Sequence, residues 1–212
     1  MKPFKPPPAP VTRWLIGVCI AIELATTLLG AAVPIAGAAG LIPARLVDGI
    51  GGGLPAPLTL LTALFLHAGW VHLTVNLVFL AWVGKYVEWV FGRWRFLGLY
   101  LAGGVAGNLL QVAAQPHGTG VIVGASGAIA AVFGAYAVLF ARSRASGRTV
   151  LGIRISSEAA TAMWFAATWI VLQLLAGYAL RLDGQGIAVW AHIGGFITGL
   201  LLARPLAREP RI

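Results

Sequence analysis

Few side chains in this sequence can do chemistry, and they fall in three apolar stretches. "VIVGASGAIAAVFGAY", residues 121–136, holds one aliphatic hydroxyl, Ser126, between Gly124 and Gly127. "LHAGWVHLTVN" holds His67, His72 and Asn76, and "VWAHIGGFITGLLLA" holds His192. A serine becomes a nucleophile when a neighbouring base takes its proton, and imidazole suits that task near neutral pH. The tetrahedral intermediate that follows needs donors aimed at its oxyanion. The backbone N–H of Ser126 at a helix start, with the side chains of His72 and Asn76, would supply them. Nucleophile (Ser126), base (His192) and oxyanion donors are then all present, and the chemistry they imply is acyl transfer.

Each residue also has a plainer reading when taken singly. A serine among small residues in an apolar helix is a packing surface, and a G-x-S-G tetrapeptide without a preceding strand differs from the serine turn of soluble hydrolases. His192 alone is equally a hydrogen-bonded structural histidine. Two histidines in "HAGWVH" raise a metal site. The chain has no H-E-x-x-H, however, and the nearest acid, Glu88, falls at the far end of that apolar run, so no metal is expected. Glu23, an acid inside the first apolar run, raises proton or ion transport, which no internal repeat supports. Trp164, Phe165 and Trp169 read as lipid-facing or packing groups.

The elements that must position these residues are membrane spans. Of 212 residues, 59% are hydrophobic and 10% charged, too little charge to cover a soluble domain of this size. The single cysteine, Cys19, excludes a disulfide framework. Six runs reach the roughly 20 apolar residues that cross a bilayer, at 13–34, 62–83, 94–114, 124–142, 159–180 and 187–205. The reading is an all-α membrane protein with one six-helix domain over residues 13–207. It is flanked by a Pro-rich tail at 1–12 and a short tail at 208–212. A Gly- and Pro-rich loop is expected at 35–61, and a loop at "RSRASGRTVLGIRISSE". The first run resembles a signal peptide in its small residues, but its length favours an uncleaved span.

Charge sets the orientation. With the N-terminus in the cytoplasm, only Arg45 and Arg181 of the fifteen basic residues fall outside, which places both termini in the cytoplasm. The net charge of +9 therefore marks a membrane side rather than a nucleic-acid partner. In this topology Ser126, His72, Asn76 and His192 all lie within roughly 10–15 Å of the outer surface, at about 1.5 Å rise per residue. No Asp or Glu shares that depth, which implies a Ser–His dyad rather than a triad. Polar groups in hydrocarbon are costly, so three segments delivering them to one depth is informative. His72 and Asn76 share a helical face. Ala191, Gly195 and Gly199 form a smooth ridge, and Gly127, Ala131 and Gly134 a matching stripe, so packing the two would bring Ser126 to His192.

With these residues in place, the sequence resembles the rhomboid family of intramembrane serine proteases over about residues 59 to 202. "GASG" is similar to the family's nucleophile motif, "AHIGGFITG" to its histidine motif, and the run from Thr59 to Gly104 to its second span and following cytoplasmic turn. The resemblance implies a six-helix bundle with Ser126 as nucleophile, His192 as general base, and His72 and Asn76 at the oxyanion site. It implies structural roles for His67, for the motif glycines Gly124, Gly127, Gly195 and Gly199, and for Glu88, which with nearby Arg95 would hold helix ends together. Transmembrane proteins would be the substrates, with no cofactor. A bacterial plasma membrane would be the location, and "RLDGQGIAVW" a lid through which water enters. Two departures stand out: Ala130 replaces the aromatic residue often found four positions after the serine, and the first outer loop lacks any Trp. Relatives without the serine or histidine bind membrane helices without cutting them, and both residues are present here.

Overall fold

The computed structural model of the chain describes residues 8–140, 148–150, 153–155 and 188–207, with the single positions Trp164, Ala167 and Trp169. Among these, α1 (Pro10–Leu28), α5 (Trp70–Phe91), α6 (Arg93–Ala114) and α8 (Val189–Leu206) are long and apolar enough to cross a membrane. A shorter apolar helix, α7 (Ser126–Phe140), sits among them. The expected fifth span at 159–180 and residues 181–187 of the expected lid lie outside the described residues, apart from the three single positions.

α7 forms the centre. Every residue from Gly127 to Ala135 is buried, packed against α5, α6 and α8. Small residues permit this. The backbone oxygen of Gly127 occupies the place a side chain at Gly195 would take, and that of Ala131 does the same at Gly199. Gly134 meets the Phe196 carbonyl in the same way. With little hydrophobic drive between helices in lipid, such close backbone approach holds them through dispersion. Around this seam, Phe79, Phe133, Trp169 and Phe196 form an aromatic cluster, with Phe133 and Trp169 centroids 5.1 Å apart. Trp164 is exposed.

α1 lies on α5 through one stripe, Thr12, Leu15, Cys19, Glu23 and Thr26. Cys19 packs on Leu73 and Leu77. A single residue, Gly92, separates α5 from α6, and its φ of 74° is one that side chains rarely adopt.

Three sequence expectations need correction. The second span does not run from residue 62. Its first residue closes a separate helix, α4 (Ala56–Thr62), and the next three make a 3₁₀ turn, Ala63–Phe65. The chain is extended at Leu66 and α5 begins after Gly69, at φ 99°. The apolar run was continuous in hydropathy but not in backbone conformation. The outer loop at 35–61 is likewise largely helical, with α2 (Ala32–Ala39) and α3 (Pro43–Val47) before α4. Pro43 opens α3, where a missing N–H costs nothing. The all-α reading of the bundle stands, but the expected loop at "RSRASGRTVLGIRISSE" holds an antiparallel ribbon, β1 (Arg148–Val150) with β2 (Ile153–Ile155), which pairs Arg148 with Ile155 and Val150 with Ile153.

Candidate active site

Ser126 opens α7. The first N–H groups of a helix have no acceptor within it, and the earliest α7 bond runs from Ile129 N–H to the Ala125 carbonyl at 2.9 Å. The N–H groups of Ser126, Gly127 and Ala128 therefore stand at the open, positive end of the helix, where developing negative charge is stabilised. Gly124, two residues earlier, holds φ 132°, and its N–H donates to the Ala63 carbonyl at 2.9 Å. A side chain there would be strained and would press on the His72 ring, 3.0 Å from Nε2.

His192 lies in the first turn of α8, 9% exposed. Its Nε2 is 2.6 Å from Oγ of Ser126. The structure thus brings together two residues 66 positions apart, in the geometry a proton transfer requires. The seam described above sets that approach. Gly127 and Gly195 are one and three residues beyond the pair, and no side chain holds the helices apart there.

His72, in the first turn of α5, accepts the Ala68 N–H on Nδ1 at 3.3 Å. That leaves the hydrogen on Nε2, the atom facing Gly124 and the Ser126 side of the site. Asn76 is buried, and its Nδ2 donates to the His72 carbonyl at 2.8 Å. One of its two amide hydrogens is thereby committed to the preceding turn. His67 is 6% exposed, with neither ring nitrogen hydrogen-bonded among the described residues, and it meets His72 edge-on at 5.4 Å. Ala130 is fully buried within α7.

Glu88 and Arg95 stand apart from the site and from each other. Glu88 accepts from the Val11 N–H (2.9 Å), the Thr12 N–H (2.8 Å) and the Thr12 hydroxyl (2.8 Å), capping the start of α1. Arg95 donates to the Leu206 carbonyl at the end of α8, at 3.2 Å.

Several residues that shape the α2–α4 layer were not singled out by sequence reasoning. Arg45 is buried, and its guanidinium donates to the carbonyls of Gly37 and Leu54, tying α2 and α3 to the segment before α4. Leu41 pairs with Ile122 as an isolated bridge, N–O 3.0 and 2.8 Å, tying that layer to the segment leading to Ser126. His117 and Asp48 add an exposed contact at 2.9 Å across the same junction. Arg45 did carry a signal, as one of the two basic residues expected on the side opposite the other thirteen. The others became visible only with their partners in place.

Residues 56–209 match the Rhomboid domain family. RHOMBOID-like protein 5 of Arabidopsis thaliana is 30% identical over 184 residues, 87% of this chain and 53% of that protein. Rhomboid-like protease 5 of Toxoplasma gondii is 34% identical over 138 residues, covering 65% and 15% of the two chains. Rhomboid protease GluP of Bacillus subtilis is 33% identical over 148 residues, 69% of this chain and 25% of that one. A helical core with four spanning-length helices and a match over most of the chain make it a member of the rhomboid family, integral to a membrane. It spans about half or less of the length of these relatives. They come from a plant, Toxoplasma and a bacterium. The expected bacterial plasma membrane finds no support in them.

Proposed function

We propose that this chain is an intramembrane serine endopeptidase, cutting transmembrane-helix substrates near the outer membrane face through a Ser126–His192 dyad. The observation that carries the reading is the 2.6 Å contact between Oγ and Nε2 across two helices. His192 takes the hydroxyl proton as Oγ attacks the scissile carbonyl. The oxyanion that forms is held by the Ser126 N–H at the start of α7 and by Nε2–H of His72, with the spare hydrogen of Asn76 beside it. His192 then gives its proton to the leaving amine, and the acyl-enzyme is hydrolysed by water from the outer side. A helical carbonyl is already hydrogen-bonded and covered, so the substrate helix must unwind at the bond, which favours small or helix-breaking residues there.

The accompanying topology has six spans with both termini cytoplasmic: α1, α5, α6, α7, residues 159–180 and α8. Its support is that thirteen of the fifteen basic residues fall on one side.

The test is incubation of the detergent-purified protein with a single-span substrate, wild type beside Ser126→Ala and His192→Ala. Cleavage by wild type alone supports the reading. Cleavage that persists in Ser126→Ala contradicts it. A wild type that binds the substrate helix without cutting it would instead make this a membrane-helix-binding member of the family.

A further inference from the structure

Gln111 lies on α6, one turn after Gly107, on the face that meets the start of α8. At Gly107 the Ala191 carbonyl fills the space a side chain would need. One turn on, Oε1 of Gln111 accepts the backbone N–H of Trp190 at 3.1 Å and that of Ala191 at 3.3 Å. Its Nε2 donates to Oε1 of Gln115 at 2.9 Å. Two N–H donors on one side and a carbonyl-type acceptor on the other settle which amide atom is oxygen. The residue is 3% exposed.

The start of α8 lacks any acceptor of its own. Its N-cap is Ala188, which has no side-chain oxygen. Trp190 and Ala191 are the second and third helical residues, where a capping side chain ordinarily accepts. Here the acceptor comes from another helix, about 80 residues earlier in the chain. The N–H of His192 itself is the next along, reaching the Ala188 carbonyl at 3.3 Å. The imidazole thus projects from a turn whose preceding two donors depend on Gln111. Ala191 is buried, and a buried N–H that loses its acceptor carries the full cost of being left unpaired.

We propose that Gln111 is a positioning residue for the dyad: by capping α8 from α6, it fixes the depth and rotation at which His192 meets Ser126. It acts through the α8 backbone and not on the reacting atoms. The inference rests on the dyad reading of the preceding section. An uncapped first turn frays, and a donor–acceptor distance of 2.6 Å does not survive fraying, so the loss falls on the chemical step rather than on substrate capture.

The experiment measures kcat and KM on a single-span substrate in proteoliposomes, with a thermal melt of each protein. Gln111→Met keeps the length and removes the acceptor, and it lowers kcat by about tenfold, the size of a lost helix cap, with KM unchanged. Gln111→Glu keeps an oxygen facing α8 and restores most of the loss. Gln115→Ala frees the Gln111 amide to turn and gives a smaller fall in kcat; it serves also if Gln111→Met does not accumulate folded. Wild-type kcat in Gln111→Met or in Gln115→Ala overturns the inference. So does equal loss in the Met and Glu variants, or a loss carried by KM alone. Ser126→Ala cutting like wild type overturns the dyad reading itself, and the inference with it, which separates the two failures.

Discussion

Removing the Ser126 hydroxyl or the His192 imidazole takes away one half of the only Ser–His contact among the described residues, and each alone is expected to abolish cleavage. The donors around them should act by degrees. His72 presents Nε2–H toward the site, so His72→Ala is expected to cost on the order of 100-fold in kcat, the scale of one lost oxyanion donor. Asn76 spends one hydrogen on the His72 carbonyl, so part of its effect passes through His72. Asn76→Ala should cost less, and His72→Ala/Asn76→Ala less than the product of the two, as for any coupled pair. Steady-state kinetics on one substrate checks both. Glu23 lies on the α1 stripe that packs on α5, a turn beyond Cys19. Glu23→Gln should leave cleavage close to wild type, and a dead enzyme would restore the relay reading of that acid.

At the scale of elements, the seam between α7 and α8 makes the Ser126–His192 contact possible. At Gly199 the Ala131 backbone leaves no room for a Cβ, whereas at Gly98 nothing lies within 4 Å. Gly199→Val is therefore expected to lower the melting temperature and remove activity together, by at least the roughly 1–3 kcal/mol of an overpacked core. Gly98→Ala should be silent. Glu88→Ala leaves two N–H groups and a hydroxyl of α1 without their acceptor. It should cost about 1–3 kcal/mol of stability, read as a lower melting temperature with kcat of the folded fraction unchanged. The seam was legible in the sequence because Ala191, Gly195 and Gly199, and Gly127, Ala131 and Gly134, repeat at helical spacing beside the reactive residues. Gln111 and Glu88 were not legible as caps. An amide or carboxylate in an apolar run has no visible purpose until the facing helix end is known. The break at Gly69 was hidden for a related reason: hydropathy stays high across it while the backbone changes direction. The β1–β2 ribbon gives only three residues a side, too short to stand out from a loop.

For the whole molecule, the orientation proposed from the charge distribution is open to direct measurement. Cys19 is fully buried, so a Cys19→Ser background suits single-cysteine labelling in sealed vesicles. A cysteine replacing Arg93 should react only from the cytoplasmic side, and one replacing His117 only from the outer side. The reverse pattern would invert the topology and put the site at the wrong face. The α2–α4 layer is held by Arg45 and joined by the Leu41–Ile122 bridge to the segment four residues before Ser126. Arg45→Met should therefore loosen that layer and lower stability, with the larger kinetic effect on KM.

The most direct measurement is peptide mapping by mass spectrometry after exposure of the folded protein to a fluorophosphonate, which reacts with an activated serine and mimics the tetrahedral intermediate. The account predicts one adduct, on Ser126, absent in Ser126→Ala and lost or strongly slowed in His192→Ala. A folded wild type that stays unmodified at Ser126, or modification of Ser126 at the same rate without His192, would contradict it.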